Sequence, residues 1–201
     1  MKVKMIMASA LLTLTAWANA NVNVDQPAPD FKLVNSNGES VNLSDYQGKY
    51  VVLEWTNHLC PYVKKHYGSD NMQSLQRKYN DKEVVWLSII SSAPGKQGYV
   101  EADEANQLTA SRNAAPAHVL FDPEGDVGKL YGAKTTPHMY IIDPAGELKY
   151  KGAIDSIKSA NPADIPKATN YLDEGMKALL AGGEVEDKST VPYGCSVKYK
   201  S

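Results

Sequence analysis

The sequence predicts an α/β domain with a mixed central sheet, helices on both faces of that sheet and an N-terminal β-hairpin. Two runs, residues 50–55 and 83–90, are too uniformly apolar for a sheet that is exposed on one side. Each run is followed by a stretch with helical spacing, and strands that alternate with helices are typical of an α/β domain. Turn signals at residues 37–38 and 143–146 predict hairpins, whose antiparallel strands make the sheet mixed.

Each element has its own local signal. Pro61 suits the first position of a helix, because its missing N–H would be unpaired there. Asn161 with Pro162 forms a cap that starts the last helix, and Gly182 ends that helix. We predict strands at residues 31–34, 40–43, 50–55, 83–90, 118–121, 139–142 and 148–152. We predict helices at residues 61–79 with a kink at Gly68, at 100–113, at 127–131 and between the cap and Gly182.

Residues 1–20 have the pattern of a signal peptide. Lys2 and Lys4 precede an apolar run over residues 5–18, and Ala18-Asn19-Ala20 is a cleavage site, so we expect cleavage after Ala20. The run is short for a membrane span, although an uncleaved anchor is the alternative. Export would place the protein in an oxidising space, the periplasm or the cell exterior.

The rest of the chain divides into a domain, residues 21–183, and a polar C-terminal tail, residues 184–201, that carries Cys195. The whole chain has a net charge of −2, and loss of the leader leaves 19 basic against 23 acidic side chains. This balance gives no reason to expect a nucleic-acid partner, or a membrane partner after signal cleavage. Cys60 and Cys195 are the two cysteines, an even number that is compatible with a disulfide or with redox chemistry.

Cys60 is the strongest candidate for a reactive group. It lies where an apolar strand passes into a helix, and the unpaired N–H groups of a helix N-terminus favour a thiolate, the reactive form of cysteine. A buried structural cysteine is the alternative interpretation. Nearby side chains that carry positive charge or a proton are Lys64, Lys65, His58 and His66.

Four segments together resemble the thioredoxin-like redoxins, and more narrowly the peroxiredoxin-related proteins of the alkyl hydroperoxide reductase and thiol-specific antioxidant superfamily. The segments are residues 28–33, residues 43–53, Cys60-Pro61 and residues 136–143. The resemblance covers about residues 25–155. It implies a thioredoxin-like fold and an oxidoreductase that works through thiols, with no cofactor and no resident metal.

The resemblance also assigns roles to site residues. Cys60 becomes the nucleophile that attacks a protein disulfide or a hydroperoxide. Glu54 corresponds to a buried acid that exchanges protons with the thiol, although an exposed glutamate is the alternative. Thr136 and Pro137 correspond to the cis-proline loop, which packs against the nucleophile and offers a backbone edge to an extended substrate. His138 would then lie near Cys60 and belong, with Thr136 and Pro137, to the residues that bind the substrate.

Three positions depart from the related patterns. Val63 stands where a thioredoxin has its second cysteine, so exchange within a CxxC pair is impossible. Asn57 stands where a peroxiredoxin has threonine or serine. Pro137 stands where a peroxiredoxin has an arginine, and neither Arg77 nor Arg112 has an evident place at the site.

Cys195 is the candidate resolving thiol. It would attack an oxidised Cys60 from a tail that is turn-like and therefore able to move, and an external thiol would reduce the resulting disulfide. A static disulfide that fixes the tail is the alternative. A different class of function is a non-catalytic binding or copper-chaperone module, with copper held by Cys60, His58 and His138.

Overall fold

A computed structural model describes residues 22–200, so the predicted signal peptide lies outside the described residues. The N-terminal hairpin is present and places Leu33 opposite Val41. The strands are β1 (Lys32–Asn35), β2 (Ser40–Asn42), β3 (Val51–Trp55), β4 (Val85–Ile90), β5 (His118–Phe121), β6 (Thr135–Thr136), β7 (His138–Ile142), β8 (Leu148–Gly152) and β9 (Cys195–Ser196). The α-helices are α1 (Pro61–Gly68), α2 (Asn71–Asn80), α3 (Ala102–Ser111), α4 (Asp126–Tyr131) and α5 (Tyr171–Leu180), and 3-10 helices lie at Leu43–Tyr46 and Pro162–Lys167.

Seven strands form one mixed sheet in the order β2-β1-β5-β4-β3-β7-β8. Strand β3 lies near the centre, parallel to β4 and antiparallel to β7. Strands β6 and β9 form a separate two-stranded ladder. The α/β class, the mixed sheet and the N-terminal hairpin are therefore as predicted.

The sheet is covered on both faces, which explains its uniformly apolar central strands. One face packs Val52 and Trp86 against α1, α2 and α5 in a cluster that includes Cys60. The other packs Leu53 and Leu87 in a cluster that includes residues of α4. All residues of β3 and β4 are buried, because successive side chains on each strand enter opposite cores.

The helix predicted over residues 61–79 is two helices. The chain leaves the first helix after Gly68, and Asp70 takes a left-handed conformation with φ 58°. Side chains occupy the last carbonyl groups of α1: the Ser69 hydroxyl donates to Lys65 O at 2.8 Å, and the Gln73 amide donates to Tyr67 O at 2.8 Å. Because these carbonyls are already paired, the first helix ends without continuing into the second.

The predicted last helix starts later than Asn161. The cap at Asn161 exists, since its side chain accepts from Ala163 N at 3.1 Å, but it starts only a 3-10 helix. Pro166 lies inside that segment and cannot donate the N–H that an α-helix needs there. The α-helix begins at Tyr171, where the Asn170 side chain accepts from Asp173 N at 2.9 Å.

The C-terminal tail is docked along the domain. Thr190 N donates to Lys151 O at 3.1 Å, β9 pairs with β6, and Ala93 N donates to Lys198 O at 2.9 Å. The Tyr199 hydroxyl donates to Ala133 O at 2.6 Å. The tail that we expected to be mobile is therefore held at several points. Over residues 22–200, every helix is too short or too polar to cross a bilayer.

Candidate active site

Cys60 lies at the N-cap of α1, as the strand-to-helix pattern predicted. Its backbone is extended, with φ −69° and ψ 125°, and the residue is 0% exposed. The thiol donates to the carbonyl oxygen of Thr136, with Sγ and O 3.1 Å apart. The Thr136–Pro137 peptide bond is cis, as expected, and its loop packs against the cysteine in the predicted manner.

Cys195 lies directly beside Cys60. It pairs with Thr136 in the β6–β9 ladder, the same residue whose carbonyl accepts from the Cys60 thiol, and it packs against the apolar cluster that contains Cys60. Both cysteines are free thiols. Two residues far apart in the sequence, one in the domain and one in the tail, thus form one dithiol site while the tail is docked.

The two thiols have opposite pKa shifts. Burial alone would raise the pKa of Cys60, but hydrogen bonds from the Cys195 thiol, the Val63 N–H and the Cys195 N–H together hold that pKa below its ordinary value. Burial, followed by the hydrogen bond and charge of Cys60, raises the pKa of Cys195 to about 11. The first cysteine is therefore the better thiolate, and the second is its proton-bearing neighbour.

The cause of this activation differs from the one predicted. Lys65 and His66 turn away from the thiol into a buried cluster with Asp155, at 3.0 Å and 3.7 Å respectively. Burial lowers the pKa of His66 to about 4 despite the opposing effect of Asp155, so the imidazole is neutral at pH 7. Hydrogen bonds, rather than neighbouring positive side chains, favour the Cys60 thiolate.

Glu54 is fully buried, at 0% exposed, so the exposed alternative is wrong. Its carboxylate accepts from Tyr67 at 2.9 Å, Trp86 at 2.9 Å and Ser88 at 3.1 Å, with the Gln76 amide at 3.4 Å. Burial and then the negative charge of Glu54 raise the pKa of Tyr67, which keeps that hydroxyl protonated as a donor. These bonds join the sheet to the helix that starts at Cys60, and none of them reaches the thiol itself.

His138 is not beside Cys60, contrary to our expectation. Its side chain lies on the opposite face of the sheet, with that of Tyr140, and its ring is 4.6 Å from the Tyr140 ring. Burial lowers its pKa to about 3, and its Nδ1 lies 3.3 Å from the donor Lys134 N. Within residues 22–200, no three metal-binding side chains come together. The copper site of Cys60, His58 and His138 is thus ruled out by the alternation of side chains along β7.

The structure places Arg112 beside Tyr67, a position that the sequence did not predict. Its guanidinium lies 4.2 Å from the centre of the Tyr67 ring. It lines a cavity of about 20 Å³ together with Thr56, His58 and Ser88. The Thr56 hydroxyl is buried and has no hydrogen-bond partner among the described residues. This arginine belongs to the surroundings of the Glu54 network.

Two further residues were missed by sequence reasoning. Asp155 follows the last strand of the main sheet, and Tyr193 precedes Cys195 by two positions. The Tyr193 hydroxyl donates to Asp155, which also binds Lys65. The position of Tyr193, two residues before Cys195, is a sequence signal that could have identified it. The sequence around Asp155 contains no comparable signal.

A family model covers most of the region that forms this site. The AhpC/TSA family model matches residues 24–151. The chain belongs to the AhpC/TSA family. This result confirms the resemblance and identifies the domain as a thioredoxin-like redoxin.

Two curated relatives are named as a thioredoxin-like protein and as a thiol-disulfide oxidoreductase. The thioredoxin-like protein YneN of Bacillus subtilis is 30% identical over 125 residues, which are 62% of this chain and 68% of that protein. The thiol-disulfide oxidoreductase ResA of Bacillus thuringiensis is 25% identical over 125 residues, 62% of this chain and 66% of that protein. The match thus spans about two thirds of these curated relatives.

A solved structure resembles nearly the whole molecule. A conserved protein from Geobacillus kaustophilus, described as uncharacterized, superposes with a TM-score of 0.78 at 26% identity. The superposition covers 89% of this chain and 93% of the other. Its extent goes beyond the family match and includes much of the C-terminal region.

Proposed function

We propose that this redoxin is an exported thiol–disulfide oxidoreductase in which Cys60 is the nucleophile and Cys195 is the resolving thiol. The observation that carries the proposal is the meeting of two free cysteines at Thr136, one through its carbonyl and one through the β6–β9 ladder; the opposite directions of their pKa shifts support it. The relative ResA is named a thiol-disulfide oxidoreductase, which supports the same class of reaction. The reaction needs a disulfide substrate and an external thiol reductant.

The proposed cycle has three steps. The Cys60 thiolate attacks one sulfur of the substrate disulfide, a mixed disulfide forms, and the other substrate sulfur leaves as a thiolate. Cys195 then loses its proton and attacks the Cys60 sulfur, which releases the second substrate thiol and forms the Cys60–Cys195 disulfide. Two external thiols reduce that disulfide and are themselves oxidised, which restores both cysteines.

The coupling between the thiols favours this order of events. Before the first attack, the hydrogen bond and charge of Cys60 contribute to the raised pKa of Cys195. Once Cys60 is part of a mixed disulfide, its negative charge is gone and that contribution disappears. Burial, the larger cause, remains, but the pKa of Cys195 falls, so the resolving thiolate forms more readily once it has a target.

The other site residues have supporting roles in the proposal. Thr136 contacts both cysteines, through its carbonyl and through its place in the ladder, and Pro137 shapes the same loop. Glu54 holds the last turn of α1, the helix that begins after Cys60, through Tyr67. His138, which points away from the dithiol, has no part in substrate binding here.

Export and the division of the chain rest on the sequence. The basic, then apolar, then small-residue pattern of residues 1–20 supports cleavage after Ala20 and an oxidising compartment such as the periplasm. The proposed mature protein consists of residues 21–183 as the redoxin domain and residues 184–201 as the tail with the resolving cysteine.

The test of this function is turnover with a low-molecular-weight disulfide and an external dithiol. We expect the purified protein to turn over, Cys60→Ser to be inactive, and Cys195→Ser to accumulate a mixed disulfide at Cys60. Peptide mapping of oxidised wild-type protein should find Cys60 joined to Cys195. Equal rates for wild type and Cys195→Ser, with no such link, would contradict the resolving role.

Hydroperoxide reduction is the second candidate. The observation that favours it is the complete burial of Cys60, which suits a small substrate. The thiolate would attack the terminal peroxide oxygen and become a sulfenate, while an alcohol leaves from an organic hydroperoxide or water leaves from hydrogen peroxide; Cys195 would then condense with the sulfenate and release water. Consumption of hydrogen peroxide or cumene hydroperoxide coupled to a dithiol tests this activity, which a Cys60→Ser control must abolish.

A further inference from the structure

Tyr193, Asp155 and Lys65 form a buried connection outside the dithiol site. Tyr193 is 5% exposed, Asp155 3% and Lys65 2%. The Tyr193 hydroxyl donates to one carboxylate oxygen of Asp155, and Lys65 Nζ lies 3.0 Å from the other. Burial of an ion pair and of the hydroxyl bound to it costs free energy of desolvation. We therefore ask what this buried group does for the protein.

The connection joins the two elements that carry the thiols. Lys65 belongs to the helix that begins at Cys60, and Tyr193 precedes Cys195 by two residues. Asp155 therefore bridges α1 to the tail. The Tyr193 ring also packs edge-on against Tyr62 of the same helix, with their centres 5.7 Å apart.

The chain between Tyr193 and Cys195 fits closely against the cis-proline loop. Gly194 has φ 141°, and a Cβ there would collide with the carbonyl oxygen of Thr136. From this point β9 pairs with the edge of β6, opposite Thr135 and Thr136. That backbone edge is the one expected to receive an extended substrate, and the protein's own tail occupies it.

We propose that Tyr193 is a positioning and specificity-determining residue, which holds Cys195 on Cys60 and holds β9 on the edge of β6, so that the docked protein admits small disulfides and excludes extended polypeptides. The inference rests on the proposed function and deepens it by naming the substrate class. Asp155 transmits the restraint from α1 to the tail. An extended polypeptide reaches Cys60 only when the tail leaves.

Removal of one hydroxyl isolates this role. Tyr193→Phe keeps the aromatic ring and leaves the Lys65–Asp155 pair intact, so no buried charge loses its only partner. Tyr62→Phe is the matched control, because it removes a hydroxyl from the neighbouring ring, for which no hydrogen bond is found among the described residues. Thermal unfolding of all variants shows whether each is folded.

The first measurement is the equilibrium between the Cys60–Cys195 disulfide and glutathione. In that exchange, two glutathione thiols are oxidised while the protein disulfide is reduced to two thiols. We expect Tyr193→Phe to favour the dithiol form by roughly threefold to tenfold, because one lost hydrogen bond to a charged acceptor lowers the local concentration of Cys195 near Cys60. Tyr62→Phe should leave the equilibrium unchanged. An unchanged equilibrium in Tyr193→Phe overturns the positioning role, whatever the effect on melting temperature.

The second measurement compares alkylation of Cys60 by iodoacetamide and by a maleimide joined to a large polyethylene glycol, in a Cys195→Ser background. We expect Tyr193→Phe to raise the ratio of the large-reagent rate to the small-reagent rate several-fold, with no change in Tyr62→Phe. If Tyr193→Phe and Tyr62→Phe give the same ratio of large-reagent to small-reagent rate, the proposal that the docked tail excludes polypeptides is overturned. Neither measurement needs turnover, so lack of enzymatic activity would count against the proposed function and not against this inference.

Discussion

Glu54 and Asp155 are both buried carboxylates on the same side of the sheet, but their surroundings differ. Glu54 accepts from neutral donors on the sheet and on α1 and α2. Asp155 faces the cation of Lys65 and the hydroxyl of Tyr193. The first network uses polar side chains to align elements of the domain, whereas the second uses a buried charge pair to fix a segment that comes from far along the chain.

The family match sharpens the contrast. Glu54 and all of its donors lie within residues 24–151, the part that matches the AhpC/TSA family. Asp155, Tyr193 and Cys195 lie beyond it. The proposed nucleophile and the Glu54 network thus come from the family part of the chain, while the proposed resolving thiol and its neighbours Tyr193 and Asp155 come from outside it.

The largest expected effect is the loss of Asp155. Asp155→Ala leaves Lys65 buried without its partner, and breaking a buried pair in this way costs about 3–5 kcal/mol of unfolding free energy. Urea unfolding at pH 7 measures the change.

Asp164→Ala is the matched control for the loss of Asp155. Asp164 pairs with Lys167 at 3.1 Å, and the Lys167 side chain is 66% exposed, so solvent screens their attraction. We expect this variant to lose under about 1 kcal/mol of unfolding free energy. Similar costs for Asp155→Ala and Asp164→Ala would contradict the importance of burial.

The pH dependence of stability tests the neutral histidine beside Asp155. Burial lowers the folded-state pKa of His66 to about 4 and that of His138 to about 3, against an ordinary value of 6.5. As pH falls below 6.5, the unfolded chain takes up protons first, so stability is full above that pH and is lost towards pH 4. We expect a loss of about 2 kcal/mol per histidine between about pH 7 and pH 5, measured by urea unfolding. His66→Asn should remove about half of this dependence, and an unaltered slope would count against a buried neutral His66.

A smaller effect is expected at the other carboxylate. Glu54→Gln keeps the shape of the side chain but replaces one acceptor oxygen with a donor that faces other donors. Because those neighbours are neutral, we expect a loss of about 1–3 kcal/mol, less than for Asp155→Ala. Urea unfolding of the two variants side by side gives the comparison. A larger loss for Glu54→Gln would reverse our ranking of the two networks.

The smallest effect concerns the thiols rather than stability. In wild-type protein, the rate of Cys60 alkylation should titrate below the ordinary thiol value near ~8.5. Cys195→Ala removes a hydrogen bond that favours the thiolate, so the pKa of Cys60 should rise in that variant while the unfolding free energy changes little. Mass spectrometry of iodoacetamide-treated protein across pH follows the change. Identical profiles in the two proteins would mean that Cys195 does not assist Cys60.

Local sequence signals were sufficient for most of the fold. The apolar runs of β3 and β4, the first hairpin and the place of Cys60 before Pro61 all follow from the chemistry of neighbouring residues. The Thr136–Pro137 loop followed from the resemblance. Local signals did not reveal the break after Gly68, because the Ser69 and Gln73 side chains that end the first helix act through the folded geometry.

The sequence by itself determined the α/β class, the order of the main elements and the position of Cys60 at a helix N-terminus, because these depend on periodicity and on contacts between near neighbours. Only the tertiary structure decided that Cys195 meets Cys60, that Asp155 and Tyr193 fix the tail, and that His138 faces away. Those outcomes depend on contacts between distant segments and on which face of a doubly buried strand a side chain enters. When both faces are apolar, alternation along the strand does not distinguish them, and only packing against the helices and the tail assigns each side chain to its side.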